Sequence, residues 1–206
     1  MALRITGGSA GGRLISAPAG EATRPTADRV REAAYAILGS ALGSLAGLEV
    51  LDLYAGSGAL GLEALSRGAA RAVFVESSAA CRRVIRLNAE RLGFAASCTV
   101  LAGSAGKLIA MLERQGERFG LVLADPPYRE DPAALVEQLG RTDLLVPSGL
   151  FLLEHSRRRS PPALSGALAL RTQRRYGDTM LSVYRRPVLD ETDAAGRDDG
   201  PARGVP

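Results

Sequence analysis

The stretch LEVLDLYAGSGALG, residues 48–61, decides the fold, because an apolar run passes directly into a glycine-rich turn and then into a helix-like segment. The run 48–53 predicts a buried strand. Gly56, Gly58 and Gly61 follow it in a G-x-G-x-x-G pattern, which lets a ligand approach the backbone and the helix N-terminus closely. The stretch therefore predicts a strand, a ligand-binding turn and a helix.

Around this stretch, short apolar runs alternate with helix-like segments, which predicts an α/β fold with a parallel, doubly wound sheet. The predicted strands are 48–53, 71–76, 97–101, 119–124, 149–155, 166–176 and 179–186. The predicted helices are 27–38, with Thr26 as its N-cap and Gly39 as its stop, and 59–67, 78–92, 104–114 and 131–139. A Gly-Gly turn within 3–17 predicts an N-terminal β-hairpin, and Gly177-Asp178 predicts a second hairpin.

A chain of 206 residues is enough for one hydrophobic core of ordinary size. We expect one domain over 1–186, made of an N-terminal extension over 1–45 and a main core over 46–186. Residues 187–206 carry five acidic residues against two arginines and have little to bury. They predict a disordered acidic tail.

Composition narrows the classes of function. No apolar stretch reaches the roughly 20 residues that cross a bilayer, and the first residues lack the apolar core of a secretory signal, so we expect a soluble, cytoplasmic protein. Cys81, Cys98 and His155 are the only cysteines and histidine, which excludes a disulfide framework and a Cys/His zinc site. We expect no metal and no membrane partner. The net charge of +4, with Lys107 the only lysine among 26 basic residues, is compatible with nucleic acid.

Two acidic residues near strand ends distinguish between two cofactors. Glu76 ends the run 71–76, where its carboxylate can accept hydrogen bonds from both hydroxyls of a ribose. Asp52 lies four residues before Gly56, where its charge would repel a diphosphate but attract the cationic amino-acid end of S-adenosylmethionine. The pair therefore favours S-adenosylmethionine over a dinucleotide. The residues expected at this cofactor are Asp52, Tyr54, Ala55, Gly56, Ser57, Gly58, Glu76, Ser77, Gly103, Ser104, Ala105 and Asp125.

The motif Asp125-Pro126-Pro127-Tyr128 follows the run 119–124, at the edge of the sheet where ligands of open α/β folds bind. The prolines stiffen the chain and lack an N–H, so the Asp125 carboxylate and the Pro126 carbonyl are held as acceptors. An exocyclic amine is a poor nucleophile because its lone pair is delocalised into the ring. If these acceptors take its two hydrogens, they orient the nitrogen and raise its electron density. Tyr128 can stack on the base. The motif predicts an amino-methyltransferase in which these four residues are catalytic.

With these motifs in order, the chain closely resembles the RsmD family of bacterial small-subunit ribosomal RNA methyltransferases over residues 4–186. The glycine-rich turn and the DPPY motif occur in many amino-methyltransferases, so the segment RPTADRVRE at 24–32 is the discriminating one. The other shared segments are RITGG at 4–8, the turn at 52–61, DPPY at 125–128 and YGDT at 176–179.

The resemblance implies a Rossmann-like, seven-stranded class I methyltransferase fold that uses S-adenosylmethionine. It also implies methylation of the N2 amine of one guanine in 16S rRNA, within a partly assembled small subunit, by a monomer. The first helix would be a lid over the cofactor pocket, with Arg24, Thr26, Arg29 and Arg31 near the cofactor or RNA. Ser104 departs from the family, because an acid that binds the adenine amino group is expected there. The acidic tail is a second departure.

Other interpretations stay open at this stage. The arginine groups Arg157-Arg158-Arg159, Arg171/Arg174/Arg175 and Arg185-Arg186 fit phosphate contacts and a solvated sheet edge equally well. The same chemistry could serve a DNA amino-methyltransferase or a protein glutamine methyltransferase, although DNA enzymes usually carry an insertion for target recognition that is not visible in this sequence. A non-catalytic RNA-binding assembly factor is a further alternative, and a dehydrogenase is the last.

Overall fold

The computed structural model describes residues 3–18, 25–127 and 129–188, without the side chains of 25–27. Arg24, the side chain of Thr26, Tyr128 and the predicted tail from residue 189 onward therefore lie outside the described residues. The helices are α1 (Pro25–Leu42), α2 (Ala59–Ser66), α3 (Ala79–Leu92), α4 (Ala105–Arg114) and α5 (Pro132–Gly140), and a short 3₁₀ helix spans Ala95–Ser97. The strands are β1 (Leu3–Arg4), β2 (Leu14–Ile15), β3 (Glu49–Leu53), β4 (Arg71–Glu76), β5 (Cys98–Ala102), β6 (Phe119–Ala124), β7 (Leu145–Ser156), β8 (Leu164–Ser165), β9 (Leu168–Tyr176) and β10 (Thr179–Arg185).

The central sheet has the order β5-β4-β3-β6-β7-β10-β9-β8 within the described residues. The five strands from β5 to β7 pair in parallel, and β10, β9 and β8 extend the sheet by antiparallel pairing. This confirms the predicted α/β fold with a mostly parallel sheet and the hairpin at Gly177-Asp178. The predicted count of seven strands is one short, because β8 adds a two-residue strand to the edge.

Side chains of the parallel strands alternate between two apolar layers. In β6, Leu121 and Leu123 join the core beneath α1, α2 and α3, whereas Val122 and Ala124 join the core beneath α4 and α5. The same alternation holds along β3, β4 and β7, because successive residues of a strand point to opposite faces. Each strand is thus covered on both faces, as its nearly continuous apolar sequence requires.

The first helix is longer than predicted. It begins at Pro25, so Thr26 lies inside the helix rather than at its N-cap, and it continues through Gly39 to Leu42. Gly43, with φ +75°, is the residue that adopts the left-handed conformation typical of a helix end, and its N–H donates to the Gly39 carbonyl at 2.9 Å. Partly buried Leu42 packs on the core, which gives the helix a reason to extend beyond Gly39.

Strand β7 is also longer than the predicted 149–155. It starts at Leu145 and passes through Pro147-Ser148-Gly149, which looks like a turn in the sequence. Ser148 adopts a left-handed φ of +64°, and the register with β6 shifts at this point. β7 therefore continues through this segment as a bulged strand and stays paired with β10.

The remaining predictions differ from the structure in small ways. The N-terminal hairpin exists, but β1 and β2 form a separate two-stranded sheet. Cys81 and Cys98 are free, half-buried thiols, and burial raises the pKa of Cys98 to about 11. None of the helices in the described part of the chain is long and apolar enough to span a membrane.

Candidate active site

A crevice opens at the carboxyl ends of the parallel strands. β3 leads into α2 on one face of the sheet and neighbouring β6 leads into α5 on the other, and ligands of doubly wound folds bind at such a switch point. A cavity of about 1030 Å³ lies there. The predicted site residues that line this cavity are Asp52, Tyr54, Ala55, Gly56, Ser57, Glu76, Ser77, Gly103, Ser104, Ala105, Asp125, Pro126 and Pro127.

Gly58 is the exception among the described cofactor predictions, since it is buried behind the cavity rather than lining it. Its N–H donates to the Ala55 carbonyl at 2.7 Å, and its φ is +81°. A Cβ at this position would lie 3.2 Å from Ile85 and 3.3 Å from Leu62. Gly58 therefore serves the turn and the packing of α2, whereas Gly56, with φ +54°, is the glycine that faces the cavity.

The carboxylate of Asp52 is almost completely buried, with 1% of the residue exposed. Its Oδ2 accepts the Gly61 N–H at 2.8 Å. Burial raises the pKa of Asp52 to about 7, and the nearby charges of Asp125 and Glu76 act in the same direction, whereas the Gly61 N–H opposes them. A cation placed in the cavity beside Asp52 would favour its ionised form.

The carboxylate of Glu76 is held by the backbone on both of its oxygens. Oε2 accepts the Gly56 N–H at 2.8 Å, and Oε1 accepts the Ser78 N–H at 2.7 Å. Ser78 in turn caps α3 by accepting the Cys81 N–H. The side chain of Glu76 is thus fixed at the mouth of the glycine-rich turn, with lone pairs left for hydroxyl donors in the cavity.

Gly103, Ser104 and Ala105 follow β5 and line the same cavity as the glycine-rich turn. Ser104 precedes the first residue of α4, yet its side chain makes no capping hydrogen bond. Its exposed hydroxyl is available to a ligand. Ser104 therefore lines the cavity with a hydroxyl in place of a carboxylate, and its contact with adenine stays a prediction.

Four carboxyl groups lie on one face of four neighbouring strands. Asp52 of β3 and Glu76 of β4 lie on the face that packs on α1 to α3, and the strand alternation places Asp125 and Glu154 on the same face. Glu154 lines the cavity but was not predicted as a site residue. A glutamate at the end of the apolar run GLFLLEH was the available signal, because that run ends at the same sheet edge.

His155 and Cys81 also line the cavity without having been predicted to do so. His155 Nε2 lies 2.8 Å from the Ser182 hydroxyl, and burial lowers the pKa of His155. A neutral imidazole bonded to its neighbouring strand fits a packing role. No chemical role is assigned to either residue.

Arg31 was predicted to lie near the cofactor or RNA, and it is not among the residues that line the cavity. Arg31 is buried, donates to the Arg4 carbonyl and to Asp28 Oδ1 at 2.9 Å, and has its Nε 3.5 Å from Oε2 of Glu63. Glu63 is also fully buried. Arg31 therefore links α1 to β1 and α2, and removing one partner of such a buried pair would be costly. Arg29, by contrast, is exposed.

The arginine groups predicted near the last strands divide between two edges of the sheet. Arg186 bonds Asp143 at 2.5 Å and the Leu145 carbonyl, and Arg185 bonds the Ala41 carbonyl, so both lie at the edge away from the cavity. Most of the others lie toward the cavity mouth. We call the following exposed residues the arginine rim: Arg129, Arg158, Arg159, Arg174 and Arg175.

The sheet order and the crevice define the class I methyltransferase fold. A solved structure of a Thermus thermophilus protein described as hypothetical is 33% identical over 88% of this chain and 98% of that one, with a TM-score of 0.75. A more distant structure, described as "a putative methyltransferase complexed with SAH", is 14% identical and shows the shared fold alone, with a TM-score of 0.64.

The chain belongs to the family described as "Conserved hypothetical protein 95", whose sequence profile matches residues 3–185; this confirms the predicted RsmD family. It is 32% identical to the Escherichia coli K12 protein "Ribosomal RNA small subunit methyltransferase D" over 93% of this chain and 94% of the relative. It is 31% identical to "Putative rRNA methyltransferase YlbH" of Bacillus subtilis over 89% of this chain and 99% of the relative.

Proposed function

We propose that this chain transfers a methyl group from S-adenosylmethionine to the exocyclic N2 amine of a guanine in 16S rRNA. The observation that carries the proposal is one crevice that Gly56, Glu76 and Asp125-Pro126-Pro127 line together. Methyl transfer needs donor and acceptor held together in line. Acceptors for a ribose and acceptors for an amine in one cavity meet that need.

The residues around the glycine-rich turn fit S-adenosylmethionine. The fixed carboxylate of Glu76 suits the two ribose hydroxyls, and the Ser104 hydroxyl suits the adenine amino group. Asp52 has a raised pKa because it is buried, so a cationic amino group beside it would stabilise its charge. When bound, S-adenosylmethionine supplies a methyl group on a positively charged sulfur, which is open to attack by a nucleophile.

The substrate side of the cavity consists of acceptors. The Asp125 carboxylate and the Pro126 carbonyl would each accept one hydrogen of the amine, which orients the nitrogen and raises its electron density. The proton that the amine releases passes to Asp125 or to water. Leu60 and Val75 also line the cavity and would help to exclude water during transfer.

The substrate proposal draws on the family and on the surface. A relative in the same family is named for the ribosomal RNA small subunit. The arginine rim places exposed cations around the cavity mouth, where RNA phosphates would lie if a base entered the cavity. We propose that the substrate is a partly assembled small subunit, and that residues 1–186 act on it as one domain and as a monomer.

Methyl transfer to small subunits tests the proposal. Subunits from a strain that lacks this gene, incubated with the protein and labelled S-adenosylmethionine, should gain one methyl group. Mass spectrometry of the digested 16S rRNA should then assign it to N2 of a single guanine. Subunits from the parent strain, already modified, are the matched control and should accept none.

Other outcomes would assign other functions. Transfer to DNA adenine or cytosine, or to a protein glutamine, with none to small subunits would contradict the proposal. Tight binding to immature subunits without methyl transfer would instead indicate a non-catalytic assembly factor.

A further inference from the structure

Glu154 lies beside Asp125 on the neighbouring strand. Leu153 of β7 pairs with Ala124 of β6 in parallel register, so the next residue of each strand, Glu154 and Asp125, continues the same row. Both residues line the cavity. The side chain next to the proposed amine acceptor is therefore a second carboxyl group.

The carboxyl of Glu154 differs from those of Asp52 and Glu76 in its hydrogen bonding. Glu154 is half-buried, and within the residues that the structure describes its carboxyl forms no hydrogen bond. Asp52 and Glu76, by contrast, each bind backbone N–H groups at 2.7–2.8 Å. Buried polar groups without a protein partner call for an explanation, and a ligand in the cavity supplies one.

The charged groups that face Glu154 come from two packed elements. Burial, followed by the charge of Asp125 from β6, raises the pKa of Glu154 to about 8, and Arg31 of α1 acts in the opposite direction. Leu181, its partner on β10, carries no charge. The carboxyl is thus easily switched between its neutral and ionised forms by what enters the cavity.

We propose that Glu154 is a specificity-determining residue that accepts the ring N1–H of guanine while Asp125 accepts hydrogens of the amine. The inference rests on the proposed function. Guanine carries its N1–H donor directly beside the N2 amine, so two neighbouring acceptors match its edge. In adenine, cytosine and 2-aminopurine the ring nitrogen beside the amine is an acceptor, which a carboxylate repels.

Glu154 also favours the reaction without taking part in its covalent steps. The bond from nitrogen to the methyl carbon forms as the bond from sulfur to that carbon breaks, and the amine proton leaves through Asp125 or water. By accepting the N1–H, an ionised Glu154 directs electron density toward the amine nitrogen. A site built around such a donor rejects analogues that lack it more strongly than a shape-selective pocket does.

The test compares guanine with 2-aminopurine, which keeps the amine but has an acceptor at N1. Small subunits are reconstituted with 16S rRNA that carries either base at the nucleotide that mass spectrometry has identified. The unmodified protein should prefer guanine by more than about 100-fold in kcat/KM. Glu154→Ala should lose about 100-fold or more on guanine and little on 2-aminopurine, so that most of the preference disappears.

Glu154→Gln is the second variant, and it retains the shape of the side chain. Its amide can donate to the acceptor at N1, so its preference should shift toward 2-aminopurine. The single-turnover rate of the unmodified protein on guanine should rise as the pH passes about 8, because Glu154 becomes ionised, and this inflection should be absent in Glu154→Gln.

Glu137→Gln, a substitution of an exposed acid on α5, is the matched control and should leave preference and rate unchanged. An equal preference for guanine in the unmodified protein and in both Glu154 variants would overturn the inference, as would an equal loss on both bases. If the unmodified protein transfers no methyl group to guanine in either substrate, the proposed function fails instead.

Discussion

The two halves of the cavity hold their carboxyl groups in different ways. In the cofactor half, formed by the ends of β3, β4 and β5, Asp52 and Glu76 are fixed by backbone N–H groups of the glycine-rich turn and of α3. In the substrate half, formed by the ends of β6 and β7, Asp125 is exposed, and Glu154 forms no hydrogen bond within the described residues. Both acids of the cofactor half are thus held by the backbone, whereas Glu154 in the substrate half has no such bond within the described residues.

The difference follows from the chain itself. The glycine-rich turn exposes successive N–H groups at the start of α2, and these need acceptors. Pro126 and Pro127, which follow Asp125, supply no N–H. The backbone therefore binds the acids of the cofactor half, whereas these two prolines offer Asp125 no backbone donor.

Removing the Asp125 carboxylate should have the largest effect on methyl transfer. It should also show that the roles of the two halves of the cavity are independent. We expect Asp125→Ala to lower the single-turnover rate of methyl transfer by about 10²–10³-fold, the usual effect of removing one preorganised polar contact. The Kd for S-adenosylmethionine, measured by calorimetry, should change by less than about threefold. A loss of cofactor binding equal to the loss of rate would show that the halves are not separate.

Removing the Glu76 carboxylate should give the opposite pattern. Glu76→Ala should raise the Kd for S-adenosylmethionine by about 10–100-fold, because each charge-assisted hydrogen bond contributes about 1.5–3 kcal/mol. The rate at saturating cofactor should stay within a few fold. Glu90→Ala, at an exposed position of α3, is the control. An unchanged Kd would remove Glu76 from the cofactor half.

The sequence predicted the cofactor half more completely than the substrate half. Its glycines and acids follow one another closely along the chain, so local spacing places Asp52, Gly56 and Glu76 together. Glu154 escaped prediction because its neighbour Asp125 is 29 positions earlier, and only sheet pairing joins them. The ion pair of Arg31 was not predicted for the same reason, since nothing local reveals that Glu63 of α2 is buried against it.

The ends of a helix or strand were predictable to within a few residues where a local sequence signal met no competing tertiary contact. α3 lies between Ser78 as its cap and Gly93 as its stop, as the sequence indicated. Gly39 and Pro147-Ser148-Gly149 resemble chain breaks, and tertiary packing of α1 and pairing of β7 override them. Local propensity is a weak guide when a packed neighbour competes with it.

The pH dependence of stability should distinguish Asp52 from the exposed acids. Because its pKa rises from 3.8 to about 7 on folding, the folded state favours its neutral form, so stability falls as the pH rises from about 4 to about 7 and then levels off. Asp52→Asn removes the ionisable group and keeps an acceptor for Gly61. We expect the variant to unfold at nearly the same denaturant concentration near pH 4, and to be about 4 kcal/mol more stable at pH 8 without cofactor.

Protonation of Asp52 should also change the affinity for the cofactor. As the pH falls below about 7, Asp52 takes up a proton, so the Kd for S-adenosylmethionine should rise in the unmodified protein and vary less in Asp52→Asn. Parallel pH profiles of stability for the two proteins would exclude Asp52 as the titrating group. A steeper fall in the variant would have the same consequence.

The smallest expected effect concerns the arginine rim, which would extend the substrate half beyond the cavity. Arg158 and Arg174 are exposed near the carboxyl edge, whereas Arg118 and Arg141 are exposed at the opposite edge, just before β6 and β7. Each phosphate contact that is lost should reduce the slope of log affinity against log salt by about 0.7–0.9. The double variant Arg158→Ala/Arg174→Ala should therefore bind small subunits a few fold more weakly, with a slope lower by about 1.5.

Arg118→Ala/Arg141→Ala removes the same charge from the other edge and is the matched control. A contact surface around the cavity predicts that this pair leaves the slope unchanged, whereas a general attraction of an arginine-rich chain to RNA predicts equal effects of both pairs. Equal slopes would confine the substrate half to the cavity itself. Unequal slopes would mean that the edge at which the strands end, rather than net charge, directs RNA to the acceptors of the substrate half.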